Sequence, residues 1–171
     1  MDDSTVVIAG AARTAMGGMN GALSGMSGVQ LGAEAIRAAL ARSGVAPEAI
    51  DEVIMGCVLP AGLKQGPARQ AAIAAGIPES AGATTINKLC GSGMQAVIFA
   101  HDQLKVGTNN IMVAGGMESM SNAPYLLDRA RTGYRMGHGA VKDHMFLDGL
   151  EDVYDKGRLM GTFAEDCAGE Y

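Results

Sequence analysis

A chain of 171 residues can bury one real hydrophobic core, and 48% apolar against 18% charged residues excludes a disordered polymer. The net charge of −5 excludes the basic footprint of a nucleic-acid binder. No apolar run approaches the roughly 18–20 residues of a membrane helix, and Met1-Asp2-Asp3-Ser4 has neither the basic start nor the apolar stretch of a signal peptide, so neither a membrane span nor secretion is expected.

Elements follow in chain order. Val6-Val7-Ile8-Ala9 is a β-branched run suited to a buried parallel strand. The glycine-rich residues 17–28 read as loop. Val29, Ala33, Ile36 and Leu40 recur at helical spacing and predict a first helix ending near Arg42-Ser43-Gly44. Val53-Ile54-Met55-Gly56-Cys57-Val58 predicts a second strand. Pro67 suits the first turn of a helix through Ala75, with Gly76 as its stop. Ala83-Thr84-Thr85-Ile86 predicts a third strand, residues 91–106 a third helix stopped by Gly107, and Ile111-Met112-Val113-Ala114 a fourth strand. The order β-α-β-α-β-α-β predicts an α/β fold with a mostly parallel sheet covered by helices. Beyond Gly116 the periodicity stops. Residues 129–142 read as a solvated basic loop, with contacts to phosphates or between subunits as the functional alternative. Residues 163–168 read as a helix.

Three cysteines, Cys57, Cys90 and Cys167, have no metal-like spacing and form no disulfide framework; a reducing cytoplasm suits them. Cys57 lies in an apolar strand and reads as structural, and Cys167 receives no role. Cys90 lies in Asn87-Lys88-Leu89-Cys90-Gly91-Ser92-Gly93-Met94, between the third strand and the third helix. A thiol at a helix N-terminus meets unpaired N–H groups and a positive local field, and both favour the nucleophilic thiolate. Gly91 and Gly93 leave room for a substrate carbonyl. Local sequence leaves a buried, inert cysteine equally open.

The Cys90 stretch resembles the active-cysteine motif of thiolases, the acyl-CoA C-acetyltransferases. Gly115-Gly116-Met117-Glu118-Ser119-Met120-Ser121-Asn122-Ala123-Pro124-Tyr125 resembles a second thiolase signature. The related ketoacyl synthases differ after their cysteine from Gly91-Ser92-Gly93-Met94. The resemblance implies a thiolase half-domain over residues 1–120 and the start of a loop domain over residues 121–171. It implies that Cys90 attacks an acyl-CoA carbonyl to form an acyl-enzyme, its backbone N–H entering an oxyanion hole, and that a second acetyl-CoA is then acylated, or the reverse thiolysis occurs.

Thiolases are similar to two fused halves, more than twice this length. Their Gly-His-Pro histidine and their second cysteine, in a Cys-x-Gly-Gly-Gly context, belong to the second half, and neither motif occurs here. The resemblance therefore implies an incomplete enzyme, with a non-catalytic chain needing a complementary one and a longer-chain 3-ketoacyl-CoA thiolase as alternatives. It implies no cofactor beyond coenzyme A thioesters as substrates, no metal, and a homo-oligomer (dimer or tetramer) or a complementary C-terminal chain as partner.

The third helix is apolar nearly all round, which implies burial on several sides; in thiolases the second half covers it, and here that face is expected to be exposed unless a partner covers it. Residues 157–165 align with a thiolase segment facing the acyl pocket. Leu159 and Met160 are the candidate lining residues there, and Leu159 stands where many biosynthetic thiolases carry a histidine. His101 falls about 16 Å along its helix from Cys90 and cannot be its base. His138 and His144 match no catalytic position and read as packing or solvated residues. Residues 17–28 lack the patterns of phosphate-binding loops.

Overall fold

In the computed structural model, which describes residues 5–171, regular structure begins at a capping box. The Ser27 hydroxyl accepts from the Gln30 N–H, and the Gln30 side chain accepts from the Ser27 N–H. Helix α1 (Gly28–Ser43) follows and stops at Gly44, whose φ of 70° suits a residue without Cβ. The chain divides into two compact units, Met1–Asn122 and Ala123–Tyr171.

The first unit holds strands β1 (Glu52–Gly56), β2 (Gly82–Ile86) and β3 (Met112–Gly116), with helices α2 (Pro67–Ala74) and α3 (Ser92–Lys105). The sheet order is β2-β1-β3 and both pairings are parallel, so β1 is central. Its side chains alternate between two layers. Val53, Met55 and Cys57 join the core formed with Ala33, Ile36 and Leu40 of α1 and Ala68, Ala71 and Ala72 of α2. Ile54 and Gly56 face the opposite layer, where α3 lies: a Cβ on Gly56 would come within 2.5 Å of the Ser92 Cβ. Beside the sheet, the Asp51 carboxylate accepts from the Asn110 and Ile111 N–H groups, which hold it below the usual carboxylate range.

The expected strand at Val6-Val7-Ile8-Ala9 does not form. Among the described residues this segment joins no ladder, and Val7 and Ile8 are 74% and 82% exposed. A β-branched run becomes a strand only when a neighbour takes its N–H and C=O groups, and neither sheet edge does so. The segment after it is tied to α1 instead: Arg42 donates to the Ala11 carbonyl, and Gly10 lies so close to Ala39 and Ser43 that a Cβ would clash.

Helix α3 inverts the usual arrangement. Its buried residues are small, Ser92, Ala96 and Ala100, spaced to form one stripe. Its large apolar residues Met94, Val97, Ile98 and Phe99 are exposed, Met94 by 73%. One face packs and the other is open, as expected of this helix where no partner covers it.

The second unit is more regular than its sequence predicts. Strands β4 (Tyr125–Leu127) and β5 (Val141–Asp143) pair antiparallel, and an Asp128–Lys142 ion pair closes the end where the 129–142 segment loops out. A π-helical turn (Phe146–Leu150) and helix α4 (Met160–Glu170) follow. Arg158 lies over the Phe163 ring, 3.9 Å from its centroid, and pairs with Asp166.

Candidate active site

Residues 87–91 carry the chain from β2 into α3. Gly91 caps the helix with backbone only, and Cys90 precedes that cap with its side chain exposed rather than buried. The turn is not relaxed: Leu89 adopts φ 50°, the left-handed region that disfavours side chains. The Asn87 Oδ1 accepts from the Leu89 N–H at 2.8 Å. The Ser92 hydroxyl accepts from the Lys88 N–H at 2.8 Å and donates to the Leu89 carbonyl at 2.5 Å. Ser92 is buried.

The two glycines beside the sulfur have different neighbours. Nothing but the Lys88 carbonyl lies near a Cβ on Gly91, which leaves the space the sequence reading assigns to substrate. Gly93 instead faces Gly115 and Gly116 at 3.7 Å, so its missing side chain serves the close approach of α3 to β3.

The second glycine-rich signature fastens this half of the site. The Glu118 carboxylate accepts from the Val58 N–H at 2.7 Å, the Leu59 N–H at 3.1 Å and the Cys57 thiol at 3.5 Å. The Ser119 hydroxyl donates to the Met26 carbonyl, and the Asn122 amide donates to the Ser24 and Met26 carbonyls. The signature thereby ties the exit of β1 and the glycine-rich loop to the end of β3. Sequence reasoning missed these roles, as it missed Ser92 and Asn87. The only available signal was that polar residues cluster inside the two signatures.

The other candidates are placed plainly. Cys57 is buried, and burial, followed by the charge of Glu118, pushes its thiol from 9.0 up to about 12. Cys167 is exposed on α4. His101 is exposed and pairs with neighbouring Asp102. His138 is exposed in its loop. His144 is buried, its Nδ1 lies 2.5 Å from the Asp148 carboxylate across the π-helical turn, and its Nε2 has no protein partner. Leu159 caps α4 without a side-chain hydrogen bond and Met160 opens that helix; both are partly exposed. Among the described residues no group of three or more His, Cys, Asp or Glu could hold a metal, and no helix is long and apolar enough to cross a membrane.

The buried thiol has a measurable consequence. Below about pH 9 Cys57 is protonated whether the chain is folded or not. Between there and about 12 the unfolded chain releases that proton while the folded chain keeps it, so stability falls as pH rises. Thermal melts from pH 8 to 11 should therefore fall more steeply for the natural chain than for Cys57→Ala. Parallel slopes would refute the assignment.

Residues 6–171 match the family described as Thiolase, N-terminal domain. The chain belongs to the thiolase family. It is 53% identical over 167 residues to acetyl-CoA acetyltransferase 2 of Arabidopsis thaliana, covering 97% of this chain and 41% of that protein. It is 52% identical to an acetyl-CoA acetyltransferase of Cupriavidus necator, covering 97% of this chain and 42% of the relative. Among solved structures, the Acat5 thiolase of Ascaris suum in complex with coenzyme A superposes with a TM-score of 0.88 at 40% identity, covering 96% of this chain and 42% of the other. The chain thus spans about two fifths of the length of the thiolases it matches.

Proposed function

We propose that this chain is the nucleophile-bearing part of an acetyl-CoA C-acetyltransferase and that Cys90 forms the acyl-enzyme. The exposed thiol at the entrance of α3, inside a thiolase signature, carries the reading. The Cys90 Sγ attacks the thioester carbonyl of acetyl-CoA. The tetrahedral oxyanion collapses, the bond to the coenzyme A sulfur breaks, and the departing thiolate takes the proton that Cys90 gave up. One thioester replaces another, so this half-reaction is close to balanced. The Cys90 N–H and the positive end of α3 stabilise the oxyanion. In the second half-reaction the methyl carbon of another acetyl-CoA loses a proton and attacks the acyl-cysteine, giving acetoacetyl-CoA and free Cys90; thiolysis is the reverse. The base for that proton belongs to the remainder of a complete thiolase, as does the rest of the oxyanion hole. Leu159 and Met160 line the acyl side in this reading, no cofactor takes part, and the enzyme works in the cytoplasm.

The exposed large residues of α3 and the open edge of β2 support an assembly in which further protein covers the helix and a second copy pairs with the strand. The test of the chemistry is incubation with radiolabelled acetyl-CoA. Label on the Cys90 peptide, with one free coenzyme A released per acetyl group, is expected. Label confined to Cys167 or to lysines would sink the proposal.

A further inference from the structure

We infer that Ser92 is a positioning residue for Cys90: its hydroxyl, with the Asn87 side chain, clamps Leu89 in the left-handed conformation that presents the thiol at the mouth of α3. The inference rests on the acyl-cysteine reading and concerns the backbone immediately before the nucleophile. A leucine at φ 50° is disfavoured on its own and persists only where neighbours over-determine it. Those neighbours are three hydrogen bonds bracketing a single residue. Asn87 takes the Leu89 N–H, while one buried hydroxyl takes the Lys88 N–H and gives its own proton to the Leu89 carbonyl. The Leu89 carbonyl also accepts the Ser92 N–H at 3.0 Å. Ser92 itself cannot drift, because it sits against Gly56 of the central strand, where even a methyl group would overlap it. The strain therefore lies one residue from the sulfur and is anchored to the most rigid part of the sheet. An exposed thiol needs no such clamp to remain exposed. It needs one to hold its attack direction relative to the helix end that receives the oxyanion.

The test compares acetylation of Cys90 by acetyl-CoA in the whole 171-residue chain and its variants, with alkylation of Cys167 as a reference that the clamp does not touch. Ser92→Ala should slow Cys90 acetylation about tenfold or more without changing Cys167. Leu89→Gly placed in the Ser92→Ala background should restore most of the rate, because glycine adopts positive φ without a clamp. Rescue of that kind is not expected if Ser92 merely fills space. Where Ser92→Ala does not fold, Asn87→Ala removes an exposed side chain from the same clamp and should slow acetylation by about threefold. Undiminished acetylation in the folded single variants, or a loss that Leu89→Gly leaves unrepaired, overturns the clamp while leaving the acyl-cysteine intact. A natural chain that takes up no acetyl group at Cys90 overturns both.

Discussion

Cys90→Ala is expected to take up no acetyl group from acetyl-CoA, while its unfolding transition stays within about 0.5 kcal/mol of the natural chain's, as for exposed substitutions generally. The asymmetry follows from geometry. The side chain is exposed and lies outside the buried core, so its loss costs little stability. It is the only thiol of the three that stands at a helix entrance; Cys57 is buried and protonated, and Cys167 lies near the end of α4. Removing a nucleophile from a comparable covalent mechanism costs on the order of a millionfold. Cys90→Ser sharpens the comparison, since the hydroxyl keeps the position but is the weaker nucleophile. Intact-mass measurement after exposure to acetyl-CoA reads both. Normal acetylation of Cys90→Ala would place the chemistry elsewhere.

Gly56→Val should be the most damaging single change in the sheet. A Cβ at that position would lie 2.5 Å from the Ser92 Cβ, 2.6 Å from the Ser92 carbonyl carbon and 2.8 Å from the Gly93 nitrogen. Two of those atoms are backbone in the first turn of α3 and cannot swing aside. The helix must lift away from the sheet or the strand must bow, and overpacking of this kind costs about 3 kcal/mol. That is a large share of the roughly 5–15 kcal/mol that holds an ordinary domain folded. Because the same turn carries Cys90, any folded population should also lose acetyl uptake. Urea denaturation monitored by circular dichroism checks the first effect and acetyl labelling the second. A midpoint unchanged from the natural chain would mean that α3 does not rest on Gly56.

The parts of the architecture that the sequence made legible are those whose partners are local. The spacing of Val29, Ala33, Ile36 and Leu40 and the stop at Gly44 marked α1, and Pro67 and Gly76 bounded α2. The strands of the central sheet were visible as short apolar runs between turn residues. Val6-Val7-Ile8-Ala9 misled because its composition is that of a strand, whereas pairing is a property of its neighbours. The β4–β5 hairpin was illegible for the opposite reason: its strands are three residues long and no tight turn joins them. The place of Cys90 at the entrance of α3 was legible because a strand-like run precedes it and a helical run follows. The Ser92 bracket was not, since a buried serine in a glycine-rich motif looks the same whether it clamps a turn or fills a gap. Glu118 was hidden because its partners, the N–H groups of Val58 and Leu59, lie sixty residues earlier.

The central position of β1 has a consequence for how the chain opens. Its residues are paired to β2 on one side and β3 on the other, and Val53, Ile54 and Met55 are almost wholly enclosed. Fraying from either edge does not free them, so their amide protons exchange with solvent only when the whole sheet comes apart. The turn bearing Cys90 rests on the last residue of that strand. The slowest-exchanging segment of the chain and the Cys90 turn are therefore neighbours, and local opening elsewhere in the chain can proceed without disturbing the floor beneath the thiol.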